Sequence, residues 1–570
     1  MLPEYLPHSR VFQVTLPSSS WSGDASRRSK CAVGSARRSW LPLWAVLLPV
    51  LFVFFAVHLY FAVAPFVNLE SWSAGAAELM LHGRAREALL FLDNAIANPL
   101  GSVLGIVPFY FLFGVSEVSA RLYSITCGAL TLAACVGLRK CFGVSAVTAA
   151  VAAVAIAVNP YFWTWSGLAY SDVPFCLLLL LVLLTCCTAA RGWAPAGHIL
   201  PASLFAFAAL TKYNAIVFLP VVPAVLIVEA FHRFESSRQR IRYVLASLSV
   251  YCLIGAVFLI PYLTWVVGTT GHLLNPKWVT GMSLDPRSSP LSLLVWRAAA
   301  HVVWLGIFAV PFAIFPVLSL LRRAGPRLGL VSFALLAGVA TIGGHGYLEA
   351  QKLGTRFGEM QPGWIAWLFP SANGLEFVAA LLFLLGAIVF ADILLWTWES
   401  LRYRYICGMW ILLTLSGHSF VRPTNRYMLF LLPPFAIYLS ERILAEHPRP
   451  TFKIFKLGLL ASGAVLSFAL CIFNSAYFAA EGAAAAQVAR FVNSHGLTDV
   501  EGGINNSVWC HSGYLVQPGR LSKTQDATNS YRVLTVRKSE RVTGIVVDKP
   551  VTIAGVTFKR YVIVHNRQEQ

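Results

Sequence analysis

Four ionisable side chains stand where hydrophobic stretches of the chain begin or end: Glu70, Asp172, Lys212 and Arg426. Glu70 follows the first apolar run in Val67-Asn68-Leu69-Glu70-Ser71-Trp72, and Asp172 lies in Tyr170-Ser171-Asp172-Val173-Pro174. Lys212 lies in Leu210-Thr211-Lys212-Tyr213, and Arg426 in Pro423-Thr424-Asn425-Arg426-Tyr427. An acid at the water–lipid boundary can meet a lipid-borne head group and a soluble acceptor together. Transfer of a group from a lipid phosphate suits such a set. The leaving phosphate needs cations, which Lys212 and Arg426 supply. The attacking hydroxyl needs a base within hydrogen-bond reach, for which Glu70 or Asp172 qualifies. Each residue also has a plainer reading: a solvated interfacial carboxylate, a snorkelling lysine, an arginine resting on lipid phosphate. Their common position at span mouths on one face favours a site.

The elements that must position these groups are membrane spans. The chain has 570 residues, 57% hydrophobic and only 12% charged, against about 25% charged in soluble domains. Loose boundaries give about thirteen apolar segments, several shorter than the roughly 20 residues of a straight span. They are 40–64, 122–138, 144–159, 173–190, 199–211, 215–229, 243–267, 294–321, 328–344, 375–396, 405–415, 427–439 and 455–473. The pair 199–211 and 215–229 could instead form a re-entrant hairpin. With thirteen spans, Arg37-Arg38, Arg139-Lys140, Arg238, Arg322-Arg323, Arg402, Arg404, Arg442 and Lys453 all fall on one side, the cytoplasm by the positive-inside rule. Glu70, Asp172, Lys212 and Arg426 then face outward, as does the C-terminus.

The expected fold class is an all-α polytopic membrane protein with a small α/β or β-rich extracytoplasmic C-terminal domain. Residues 1–39 read as a disordered basic cytoplasmic tail, and the first span is too long for a signal-peptide core, so it stays as an anchor. Residues 40–474 form the membrane domain, with a long first outer loop over 65–121. Residues 475–570 change character, with an Ala-rich helical stretch at 479–492 and alternating runs such as Tyr531–Val536 and Thr543–Val547 that read as strands. The charge of +19 would suggest nucleic acid in a soluble chain. Here the basic residues lie between apolar runs, which excludes that partner. The eleven cysteines form no disulfide framework, and no Cys/His spacing points to zinc; whether a divalent metal assists at the phosphate stays open.

The order of motifs resembles the polytopic glycosyltransferases of the GT-C fold, in the protein O-mannosyltransferase-like and aminoarabinose-transferase-like branch. The most specific stretch is Phe111-Leu112-Phe113-Gly114-Val115-Ser116-Glu117 with Ala120-Arg121-Leu122. Asn68-Leu69-Glu70-Ser71-Trp72, Asn98-Pro99-Leu100, Ser171-Asp172, Leu210-Thr211-Lys212-Tyr213 and Asn425-Arg426-Tyr427 fall in the family's order. Two departures stand out: a single Glu70 replaces the Asp-Glu or Asp of many members, and the Pro-Pro motif is reduced to Asn98-Pro99. The resemblance implies a sugar donor on a polyprenyl or dolichyl monophosphate, and a protein, lipid or glycan acceptor. It further implies one inverting step at the outer face of a plasma membrane. It makes Glu70 the base and Asp172 a second, orienting acid, while Lys212 and Arg426 hold the donor phosphate. Two other readings stand beside it: a flippase for lipid-linked saccharides, and a non-catalytic homologue that binds lipid phosphate. A flippase would favour paired charges deep within spans and internal inverted repeats, whereas the sequence shows no convincing repeat and its charges gather at span mouths.

Overall fold

The structure is a computed structural model. It describes residues 41–67, 70–95, 98–189, 195–273, 290–312, 315–317, 319, 372–397, 402–419, 429–444, 450–495, 500–502, 531–537, 545–553 and 556–565. Helix α1 (Leu41–Ala62) is followed by four helices of the first loop: α2 (Glu70–Leu81), α3 (Ala85–Ala95), α4 (Gly101–Leu104) and α5 (Val107–Phe113). Then come α6 (Glu117–Phe142), α7 (Ala146–Ala157), α8 (Pro160–Ser166), α9 (Asp172–Ala189), α10 (Ile199–Thr211), α11 (Val221–Arg233) and α12 (Ser237–Thr270). The second half contributes α13 (Pro290–Ala309), α14 (Ala372–Thr397), α15 (Arg402–Ser419), α16 (Leu432–Leu444) and α17 (Pro450–Ser494).

Among the described residues, seven helical segments are long and apolar enough to cross a membrane: Leu43–Ala62, Glu117–Leu138, Asp172–Ala189, Tyr213–Arg233, Ser237–Thr270, Ala380–Thr397 and Gly458–Val488. The pair α7 and α8, bent by 67°, makes an eighth if counted as one span. The protein is thus an integral, multi-pass membrane protein. The expected segments 199–211, 294–321, 405–415 and 427–439 fall on the shorter or less apolar helices α10, α13, α15 and α16. The segment 328–344 lies outside the described residues. The bend between α7 and α8 has a local cause. Asn159 leaves the helix, and its Oδ1 accepts from the Tyr161 and Phe162 amides, with Pro160 at the first position of α8.

Two expectations about boundaries change. The segment expected as the first outer loop is folded: its four helices bury Phe66, Leu79, Phe91, Leu92, Leu100 and Tyr110 in a core of their own. The hinge of the Leu112-Phe113-Gly114 motif is Gly114, whose φ of +78° ends α5 in a conformation that glycine adopts without cost. At the other end, the Ala-rich stretch 479–492 is no separate helix. It continues the last membrane helix, since α17 runs unbroken over 45 residues, as alanine's high helix propensity with no interior proline allows. The described strands beyond it are β1 (Val500–Gly502), β2 (Tyr531–Arg537), β3 (Ile545–Ile553) and β4 (Val556–His565), in the order β1-β2-β4-β3. β1 pairs parallel to β2, the others antiparallel, and β3 packs against α17. The run Tyr531–Val536 lies on β2, and Ile545–Val547 of the second run opens β3.

Candidate active site

Glu70 is the first residue of α2 and is fully buried. Its carboxylate accepts four hydrogen bonds: from the Val67 amide at 2.8 Å, the Ala169 amide at 2.8 Å, Arg121 Nε at 2.8 Å and Arg121 Nη2 at 2.6 Å. That fills the roughly four acceptor positions of a carboxylate. Arg121, one turn into α6, is equally engaged. Beyond Glu70, its Nη1 donates to the Ala62 carbonyl at 3.0 Å and to Ala64 O, and Nη2 donates to Pro65 O at 3.1 Å. All its donor groups are used, and the guanidinium also lies over Phe66. This pair ties the end of α1, the start of α2, α6 and the loop ahead of α9 into one node. A buried charge pair holds only with such complete bonding, because desolvation otherwise outweighs the attraction.

Asp172 and Lys212 form a second buried pair, with side chains 1% and 3% exposed. Asp172 opens α9, where the helix dipole favours a carboxylate. Lys212 sits where α10 stops: its backbone is extended, with φ −155° and ψ 128°, before a 3₁₀ turn over Tyr213–Phe218 resumes the path. The break lets the lysine leave the helix and donate to Asp172 Oδ1. Its ammonium also lies 5.7 Å from the Phe430 ring centre. Among the described residues, Asp172 Oδ2 has no hydrogen bond. The two acids therefore differ sharply in how much of each carboxylate is already taken.

The pairs are mechanically joined. Ala169, which donates to Glu70, precedes Asp172 by three residues, and Ser124 of α6 donates to Tyr170 O at 2.9 Å. The first-loop helices close over the same region. Tyr262 Oη accepts from the Leu100 amide at 2.9 Å, and His272 Nε2 lies 3.0 Å from Asp93. Gly101 lets α4 approach α10 so closely that a Cβ there would come within 2.3 Å of Leu210 O, two residues from Lys212. Burial, then the charges of Glu78, Glu117 and Glu70, push the Tyr110 phenol above its ordinary range, so it stays a protonated donor in this acidic neighbourhood.

Of the four residues expected from the sequence, Glu70, Asp172 and Lys212 come together on one face, and Arg426 lies outside the described residues. Sequence reasoning quoted Arg121 within a motif without giving it a role. Its position at the head of an apolar run, one such charge on the same face as Glu70, was the available signal. A second acid passed over is Asp392, inside the apolar stretch 375–396. It accepts from Arg442 Nε at 2.7 Å, Tyr438 Oη at 2.7 Å and Ser319 Oγ at 3.1 Å. Arg442 neighbours Ile443, which packs near the start of α1, so this cluster lies at the opposite end of the bundle from Glu70. Among the described residues, no group of three or more His, Cys, Asp and Glu could hold a metal ion.

Residues 99–265 match the family model for dolichyl-phosphate-mannose-protein mannosyltransferase. The match contains Arg121, Asp172 and Lys212 and leaves Glu70 and Arg426 outside. Among solved structures, the chain is similar to ArnT from Cupriavidus metallidurans bound to undecaprenyl phosphate, at 16% identity and a TM-score of 0.44, covering 93% of this chain and 98% of that one. It is also similar to the Archaeoglobus fulgidus oligosaccharyltransferase tethered to an acceptor peptide, at 13% identity and a TM-score of 0.39, covering 81% of this chain and 59% of that one. A comparison with curated proteins returns no match. Over residues 99–265 the chain thus carries the protein mannosyltransferase signature that its motifs resemble, set in a multi-pass helical membrane protein.

Proposed function

We propose that the protein is a GT-C membrane glycosyltransferase. It moves a sugar from a polyprenyl or dolichyl monophosphate to a hydroxyl of a protein, lipid or glycan acceptor, inverting the anomeric carbon. The family match over residues 99–265 supports the reaction class. The buried Asp172–Lys212 pair at the mouths of α9 and α10 supports the site. The single observation that carries the assignment of roles is the contrast between a carboxylate with four donors and one held on a single oxygen.

A general base needs a lone pair directed at the proton it takes. Glu70 can offer one only by giving up Arg121 or a backbone amide, so it acts as the anchor of the loop that carries Asp172. Asp172 is the base: Oδ2 takes the acceptor hydroxyl proton as that oxygen attacks the anomeric carbon. The bond from that carbon to the phosphate oxygen breaks, and its electron pair leaves with the lipid monophosphate. Lys212 is the cation in reach of both events, passing from Asp172 as it is protonated to the phosphate as its charge grows. Each of the two pairs is neutral by itself, so a phosphate site needs further positive charge. Arg426, at the expected mouth of the next span, supplies it. The N-terminus faces the cytoplasm and the site the outer face, where lipid-linked donors are exposed.

Purified protein given radiolabelled polyprenyl-phosphate sugars, with and without hydroxyl acceptors, tests this reading. Acceptor-dependent release of lipid monophosphate, abolished by Asp172→Asn and by Arg426→Gln, is expected. Binding of lipid phosphate with no turnover of any donor would replace the transferase by a binding protein.

A further inference from the structure

At the end of the bundle away from Glu70 lies a lateral apolar crevice of about 310 Å³. It is lined by Leu43 and Val46 of α1, Ala150 and Val154 of α7, Ile443 of α16, and Ala464 of α17. Leu43 and Ala62, whose carbonyl meets Arg121, are 19 residues apart on α1, or roughly 28 Å at 1.5 Å per residue. The crevice is therefore separate from the candidate active site by most of a membrane thickness. Its volume falls at the lower bound of ligand-sized pockets, about 300–1,000 Å³, and its wall is almost wholly hydrocarbon. A single acyl chain has the matching shape and chemistry, since the crevice opens sideways past the exposed Val46 and Val147.

The charge at its end selects among lipids. Lys456 stands one turn before Leu460, another wall residue, and donates to the carbonyl of Ile443 at 3.1 Å. Its ammonium lies 5.8 Å from the Phe315 ring centre, beside the wall residue Phe312. This contact holds the ammonium one turn from the crevice wall, two residues before the apolar stretch Gly458–Val488 begins. Arg442, next to the wall residue Ile443, is a second cation at this end of the bundle, already paired with Asp392. We propose that the crevice is a binding site for an anionic glycerophospholipid, with one acyl chain along α1, α7 and α17 and its phosphate at Lys456. The site is independent of the transfer reaction.

Native mass spectrometry of the delipidated full chain, titrated with phosphatidylglycerol or phosphatidylcholine of the same acyl composition, tests the proposal. Wild-type protein is expected to retain phosphatidylglycerol with roughly fivefold or greater preference, the value of one lysine beside an anionic lipid. Lys456→Gln should reduce that preference to near parity, and Lys456→Arg should keep it. Ala464→Trp, which fills the crevice, should lower retention of both lipids while thermal stability and donor turnover stay at wild-type level. Equal retention of the two lipids by wild type overturns the proposal, as does an undiminished preference in Lys456→Gln. Unchanged retention in a folded Ala464→Trp protein places the lipid elsewhere and overturns it too. If Ala464→Trp fails to fold, the Lys456 pair of variants decides.

Discussion

The two buried ion pairs on the Glu70 face have the same ingredients and opposite degrees of completion. Glu70 and Arg121 exhaust each other and the surrounding backbone: the carboxylate has four donors, and the guanidinium spends what remains on three carbonyls. Asp172 and Lys212 are equally buried but meet through one carboxylate oxygen. A saturated pair fixes geometry, because any change of charge or position breaks several bonds at once. A carboxylate held through one oxygen keeps the other for a proton, as a base must. Burial and charge alone do not distinguish a catalytic acid from a structural one; the remaining bonding capacity does.

Four substitutions sharpen or break this contrast. The largest effect is expected from Asp172→Asn, which keeps the size and the bond to Lys212 but removes the base. Turnover per folded molecule should fall about 10²–10⁴-fold, over and above any folded fraction lost because the Lys212 charge is left uncompensated. Next comes Arg121→Met, which leaves Glu70 buried and unpaired. Breaking a buried pair from one side costs about 3–5 kcal/mol, so the thermal transition should drop strongly, with turnover per folded molecule falling less than in Asp172→Asn. Gly101→Ala is smaller. Its methyl would collide with Leu210 O, and a displacement near 1 Å at the catalytic residues can cost up to about 10²-fold. Because the obstacle is backbone, stability should fall too, by about 1–3 kcal/mol, and turnover per folded molecule should decline; an unchanged rate would show that α4 does not set the position of Lys212. The smallest is Arg84→Ala on the exposed Arg84–Glu87 pair, for which scanning calorimetry should record an unchanged transition and the donor assay an unchanged turnover.

Much of this was legible in the sequence. Hydropathy alone placed most of the spans, and alternation placed the strands at Tyr531–Arg537 and Ile545–Ile553. Glu70, Asp172 and Lys212 were visible because a charge at the end of an apolar run is costly without a partner. Which charge pairs with which was not legible. Glu70 meets Arg121 51 residues away, and Asp172 meets Lys212 40 residues away. Each pairing depends on helix packing that no local pattern encodes. The same limit hid Asp392, whose partners Arg442 and Tyr438 come from a different helix. The helical nature of the first loop was missed for another reason. Its polar residues were read as loop because they could not enter lipid, although its helices need only a small core of their own. The Ala-rich stretch at 479–492 was separated from the last span on composition, while the backbone has no reason to stop there.

The direct test of the central claim is to compare Asp172→Asn with Glu70→Gln in one donor-turnover assay, each rate divided by the folded fraction measured on the same sample. The roles assigned here require Asp172→Asn to lose at least about a hundredfold per folded molecule. Glu70→Gln should lose mainly its folded fraction, with the surviving molecules retaining most of their activity. A Glu70→Gln protein that folds like wild type and is inactive, beside an active Asp172→Asn protein, would contradict the account and make Glu70 the base.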